Sequence, residues 1–137
     1  MVLINILLVD DHMLFAKSLS IALEEYEEIE QFYSTQDIHS LSEMIQDKKI
    51  DIVLMDINLR GLSECDGLKV AYNLLETNST IKIIILTGYD LPVYKHEAKK
   101  IGIYGFLNKN ISPDNLIDSL LKVYQGGTCF PSENTEV

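Results

Sequence analysis

Three short runs that are apolar almost from end to end constrain this chain most. They are Leu3–Val9, Ile52–Met55 and Ile81–Leu86, with at most one polar residue in each. A strand with one wet face alternates apolar and polar residues. A strand covered on both faces does not, and such strands belong to parallel sheets. The runs fall far short of the roughly 18 residues that cross a bilayer. Each also stops at polar groups: Asp10-Asp11, Asp56 and Thr87-Gly88. In an open parallel sheet, function collects just beyond the carboxyl ends of the strands. Asp at the end of a strand can serve simply as the N-cap of the next helix. That reading accounts for one or two such residues but strains at three on matching strand ends.

Between the runs the period changes from continuous to helical. A first strand over residues 3–9 precedes a helix over His12–Tyr26, whose Phe15, Leu19, Ala22 and Leu23 share one face. Ile29–Tyr33 reads as a second strand; Glu30 and Gln31 make it the most polar, so it belongs at an edge. A helix follows over Asp37–Asp47, then a third strand over Asp51–Met55, a loop from Asp56 to Cys65, and a helix over Asp66–Thr77. Ile81–Leu86 is the fourth strand. Asp90 and Pro92 offer the start of a fourth helix, to about Lys100, which has few apolar anchors: Val93, Ala98 and Ile101. Ile103–Leu107 is the fifth strand. Ser112-Pro113 opens a fifth helix, and Gly126-Gly127 stops it. Five βα units predict an α/β, flavodoxin-like doubly wound parallel sheet in the order 2-1-3-4-5. Its switch point lies between the first and third strands, which carry Asp10-Asp11 and Asp56.

The length, 137 residues, suits one domain with a single real core. A net charge of −10 argues against a grip on nucleic-acid backbone by this chain alone. Cys65 and Cys129 lack metal-type spacing, and the N-terminus lacks a signal-peptide pattern, so a cytoplasmic protein with no membrane association is expected. His12, His39 and His96 read as surface or helix-end residues, and the glutamates between Glu24 and Glu28 as a solvated helix end.

Three carboxylates at one crevice suit a hard divalent cation such as Mg²⁺, which takes oxygen ligands at about 2.0–2.1 Å. Asp11 is the expected direct ligand and Asp10 a ligand largely through water, with Asp56 and the Asn58 main-chain carbonyl completing the shell. Thr87 and Lys109 stand at the two remaining strand ends and add a hydroxyl and an ammonium. Together these groups make a receptor for a phosphoryl group, with Asp56 as the carboxylate nucleophile and the cation and Lys109 offsetting charge.

The segments Leu8-Val9-Asp10-Asp11-His12, Val53-Leu54-Met55-Asp56-Ile57, Leu86-Thr87-Gly88 and Gly102–Lys109 together resemble the response-regulator receiver domain of bacterial two-component systems. The segment Lys109–Pro113 followed by Gly126-Gly127 is similar to the NarL/FixJ (LuxR-type) subgroup. The resemblance implies a receiver over residues 1–127 and, over 128–137, the start of a linker to a C-terminal helix-turn-helix DNA-binding domain. It implies a histidine kinase as partner, transfer of its phosphoryl group to Asp56 with Mg²⁺, and a switch in which Thr87 moves and Phe106 turns inward. The surface made by the fourth helix, fifth strand and fifth helix is then repacked, with a phosphorylation-dependent homodimer as one output. Asn58 and Tyr89 are expected to tune the lifetime of the phosphoryl group. Such a protein is no enzyme beyond its own phosphorylation and dephosphorylation. One departure stands out: the segment from Asn58 to Cys65 is longer than the family's and lacks proline.

Three other functions compete. A Mg²⁺-dependent aspartyl phosphatase places a second acid two residues after its nucleophile, where this chain has Asn58. A flavodoxin needs Ser, Thr and Gly after the first strand, where this chain is acidic. A receiver acting as a fixed, phosphorylation-independent interaction module would have no need of all five site residues.

Overall fold

The computed structural model describes residues 2–57, 67–88 and 92–130. Strands and helices alternate: β1 (Ile4–Val9), α1 (Met13–Leu23), β2 (Ile29–Thr35), α2 (Leu41–Asp47), β3 (Ile52–Met55), α3 (Gly67–Thr77), β4 (Lys82–Thr87), α4 (Pro92–Ile101), β5 (Gly105–Asn108) and α5 (Pro113–Tyr124). Among the described residues the strands form one parallel sheet in the order β2-β1-β3-β4-β5. The polar strand β2 lies at an edge, as its sequence requires. None of the described helices is long and apolar enough to cross a membrane.

The continuous apolar runs are explained by the two faces of the sheet. Leu7, Val9, Val53, Met55, Ile83, Ile85 and Phe106 point to one face, under α2, α3 and α4. Ile6, Leu8, Ile52, Leu54, Ile84, Leu86 and Leu107 point to the other, under α1 and α5. Each such aliphatic side chain contributes about 1.5–3 kcal/mol by leaving water, so a polar residue on either face would cost dearly.

Helix anchoring is uneven. Leu116, Ile117, Leu120 and Val123 of α5 are buried, and its start is capped where Ser112 Oγ accepts the Asn115 N–H at 3.2 Å ahead of Pro113. Helix α4 buries Ala98 alone, with Tyr94 and Ile101 partly covered. It is the least anchored helix, as the sparse apolar positions foretell.

Several boundaries differ from the sequence reading: β2 runs on to Thr35, and β5 covers Gly105–Asn108 rather than Ile103–Leu107. Helix α1 ends at Leu23, where the Glu24 N–H turns back to the Ile21 carbonyl. Helix α2 starts at Leu41 rather than Asp37, because Asp37 builds a turn. Its carboxylate accepts the Ser40 hydroxyl at 2.8 Å and the His39 N–H at 2.9 Å. The hydrogen bond from Ser40 and then that from His39 hold the Asp37 carboxyl below its usual range. The packed chain also continues past Gly127. Cys129 forms a parallel bridge to Gly105 on the outer edge of β5, so part of the segment expected as linker joins the sheet.

Candidate functional site

The register of the sheet assembles the site. Val9 pairs with Met55, so the residues that follow, Asp10 and Asp56, emerge side by side at the carboxyl edge. The Asp56 N–H donates to the Val9 carbonyl at 3.1 Å. On the other side Thr87 pairs with Asn108, and the Lys109 N–H donates to the Thr87 carbonyl at 2.9 Å. Asp10-Asp11, Asp56, Thr87 and Lys109 therefore follow the strand order along one edge. Asp10, Asp56 and Thr87 are buried polar residues, each no more than 3% exposed.

Burying carboxylates without counter-charge is costly. Lys109 supplies one: its Nζ lies 3.1 Å from Asp56 Oδ2 and 2.8 Å from Asp10 Oδ2. The contact to Asp56 is a hydrogen bond, whereas that to Asp10 Oδ2 is an ion pair without hydrogen-bond alignment. Lys109 Nζ also lies over the ring of Phe15, 4.7 Å from its centroid. Asp10 Oδ1 accepts the His12 N–H at 2.9 Å and so fixes the turn into α1.

One ammonium does not balance three carboxylates, and Asp10 Oδ2 and Asp11 Oδ1 are buried without hydrogen-bond partners. One oxygen from each of Asp10, Asp11 and Asp56, with a ring nitrogen of His12, lie within 4.8 Å of one another. Oxygens on opposite sides of a small divalent cation stand about 4.2 Å apart. The donor set thus fits a divalent cation in both spacing and chemistry.

The approach of α3 to this edge leaves no room for a side chain. The Gly67 N–H donates to the Ile57 carbonyl at 2.7 Å. A Cβ on Gly67 would stand 1.9 Å from the Asp56 carbonyl oxygen and 2.7 Å from its carbon. Phe106 is buried in the cluster that includes Ala98 of α4, so its ring occupies the inward position.

The sequence reading placed Asp10, Asp11, Asp56, Thr87 and Lys109 on one edge, and the structure brings them together there. Asn58, Tyr89 and Cys65 lie outside the described residues. His12 and Phe15 were not singled out for the site. His12 Nδ1 lies 3.0 Å from Lys109 Nζ and 3.3 Å from Asp10 Oδ1, though its side chain is 61% exposed. The signal for His12 was its place directly after the acid pair. Phe15 gave none, because its spacing marks it equally well as core.

The response regulator receiver domain model matches residues 6–121. The transcriptional regulatory protein DegU of Brevibacillus brevis is 29% identical over 124 residues, 90% of this chain and 51% of that protein. ComA of Bacillus subtilis is 30% identical over 132 residues, 89% of this chain and 56% of that protein. The chain thus spans about half the length of these curated relatives. Among solved structures, a LuxR-family response regulator from Aurantimonas superposes with a TM-score of 0.80 at 20% identity, covering 91% of this chain and 87% of the other. The receiver domain of the putative regulator NarL from Mycobacterium tuberculosis superposes at 0.76 and 21% identity, covering 92% and 99%. Receiver domains are signalling switches rather than conventional enzymes. With the buried acid edge, the sheet order and the family match in agreement, this chain belongs to the response-regulator receiver domains of two-component systems.

Proposed function

We propose that Asp56 accepts a phosphoryl group from the phosphohistidine of a partner kinase, and that the modified domain controls a DNA-binding output. The observation that carries this is the pairing of a buried carboxylate with a half-buried ammonium: Lys109 Nζ stands 3.1 Å from Asp56 Oδ2. A lysine there pairs with the carboxylate and meets the charge of an arriving phosphoryl group.

In the transfer, an Asp56 oxygen bonds to phosphorus as the phosphorus–nitrogen bond to the kinase histidine breaks. The departing imidazole keeps the electron pair of that bond. Lys109 moves with the incoming oxygens, and the Thr87 hydroxyl lies buried one strand away. Water later attacks the phosphorus of the acyl phosphate and returns Asp56 as a carboxylate. Asp10, Asp11 and Asp56 would hold Mg²⁺ together with the Asn58 carbonyl, and the cation, when bound, supplies charge neutralisation on the phosphoryl oxygens. Asn58 and Tyr89 would govern access of the hydrolytic water.

A kinase needs a surface beside this edge. Met13 and Leu14, at the start of α1, are 74% and 79% exposed and stand next to Asp10 in sequence and space. An exposed apolar pair bordering an acid site favours a protein as the phosphoryl donor in the cell. Downstream, the thinly anchored α4 beside Phe106 supports a population shift of the α4–β5–α5 surface, with self-association or contacts to a helix-turn-helix domain as readout. The −10 charge argues that DNA is bound by such a domain and not by these residues. We assign the protein to the cytoplasm on the same reading.

Acetyl phosphate with Mg²⁺ tests the chemistry without the kinase. Intact-mass measurement should show one added phosphoryl group, dependent on Mg²⁺ and absent in Asp56→Asn. Equal labelling of Asp56→Asn would move the acceptor elsewhere.

A further inference from the structure

Past Gly127 the chain turns back along the sheet. The Cys129 N–H donates to the Tyr104 carbonyl at 2.9 Å, and the Phe106 N–H donates to the Cys129 carbonyl at 3.2 Å. Residues 128–130 thus act as a short extra strand on the outer edge of β5, covering the edge that would otherwise stay unpaired. The fit is specific. Gly105 lies so close that a Cβ there would stand 2.1 Å from Cys129 Sγ. Phe130 packs against the same cluster that holds the Phe106 ring, Ala98, Tyr94 and Ile101, and Lys99 Nζ of α4 lies 5.1 Å from the Phe130 ring centroid.

We propose that residues 128–130 form a strap whose docking on β5 reports the position of Phe106, so that phosphorylation holds the strap down and undocking accompanies the resting state. The proposal rests on the phosphorylation switch argued above. Three contacts converge. The backbone of Phe106 holds Cys129, the cluster around the Phe106 ring seats Phe130, and Lys99 ties the strap to the least anchored helix. An inward Phe106 and a docked strap occur together in this structure. Movement of Phe106 disturbs the cluster against which Phe130 packs and shifts the N–H that holds Cys129. The curated relatives are roughly twice as long as the stretch they share with this chain. A segment that is fixed or released at this point changes where the following chain is directed, which couples the acid edge to whatever follows without a direct contact.

Cys129 is itself the reporter, because the docked strap buries its thiol against Gly105 of β5, and burial pushes its pKa up to about 11. Its labelling therefore requires the strap to open. Alkylation of Cys129 by N-ethylmaleimide is followed by mass spectrometry in the full chain carrying Cys65→Ser. Measurements are made with and without beryllofluoride and Mg²⁺, and a thermal shift confirms that the mimic is bound. Beryllofluoride should slow labelling by about fivefold or more. Gly105→Ala should make labelling fast in both states. Phe130→Ala, which only removes a partly exposed ring, should raise the resting rate and shrink the protection. An unchanged rate in a protein whose thermal shift shows bound beryllofluoride overturns the strap. Absence of any Asp56-dependent thermal shift defeats the switch reading instead, and the coupling with it.

Discussion

Gly67 gives the sharpest test of how this acid edge is built. In Gly67→Ala the new methyl meets backbone only: the Asp56 carbonyl oxygen at 1.9 Å, its carbon at 2.7 Å and Ile57 Cα at 2.8 Å. An ordinary carbon contact needs about 3.5 Å, so α3 and the Asp56–Ile57 backbone must separate by more than about 1 Å. Neither side is a flexible side chain that can step aside. Overpacking of this kind costs roughly 1–3 kcal/mol. The Gly67 N–H bond to the Ile57 carbonyl, 2.7 Å long, is stretched or lost at about 1 kcal/mol more. A loss of about 2–4 kcal/mol follows, equivalent to a melting point lower by about 8–14 °C in a chain of this size. Gly88 is the matched control, because a Cβ there meets nothing within 4 Å and Gly88→Ala should stay within about 0.5 kcal/mol of the parent. Urea unfolding followed by far-UV circular dichroism measures both variants. Asp56 labelling by acetyl phosphate should also fall in Gly67→Ala, since the displaced group is the backbone of Asp56. If the two variants unfold within about 0.5 kcal/mol of each other, the close approach of α3 to Asp56 is wrong.

Two further outcomes are expected. Lys109→Met leaves Asp10 and Asp56 buried without their ammonium, so it should cost about 1–3 kcal/mol, and Mg²⁺ should recover more stability in this variant than in the parent. Thermal unfolding at matched ionic strength measures this, and a variant as stable as its parent would remove Lys109 as the counter-charge. Tyr26 donates its hydroxyl to Asp114, and that hydrogen bond, with smaller contributions from desolvation and nearby acids, raises its pKa to about 12. The folded state thus holds the phenolic proton longer than the unfolded chain, so the contribution is intact below pH 10 and fades as pH rises toward 12. A late-titrating tyrosine at 295 nm that vanishes in Tyr26→Phe is the expected signal; an unchanged titration curve in that variant would contradict the pairing.

Much of this architecture was legible because burial on both faces leaves an unambiguous mark. Ile4–Val9, Ile52–Met55 and Lys82–Thr87 had no polar period to hide, and Glu30 and Gln31 marked β2 as an edge. The site followed, since strand ends in a known order fix which side chains become neighbours. Boundaries set by competition between local hydrogen bonds were harder. Asp37 and Ser40 resemble a helix start, and only the turn closed by the Asp37 carboxylate shows that α2 begins at Leu41. Long-range contacts were the hardest. Nothing in Thr128-Cys129-Phe130 announces a strand, because its pairing depends on the room left by Gly105. His12 was passed over because a histidine at the entrance to α1 reads as an ordinary surface or helix-end residue, although its ring lies close to Asp10 and Lys109.

The central claim is that Asp56 carries the phosphoryl group, and chemical trapping addresses it most directly. The protein is treated with acetyl phosphate and Mg²⁺, and the acyl phosphate is then reduced with borohydride. Fragmentation mass spectrometry locates the reduced residue. Homoserine is expected at position 56 and nowhere else, with none formed when Mg²⁺ is replaced by a chelator. Homoserine at position 10 or 11, or a parent sequence with Asp56 intact after full labelling, would contradict it.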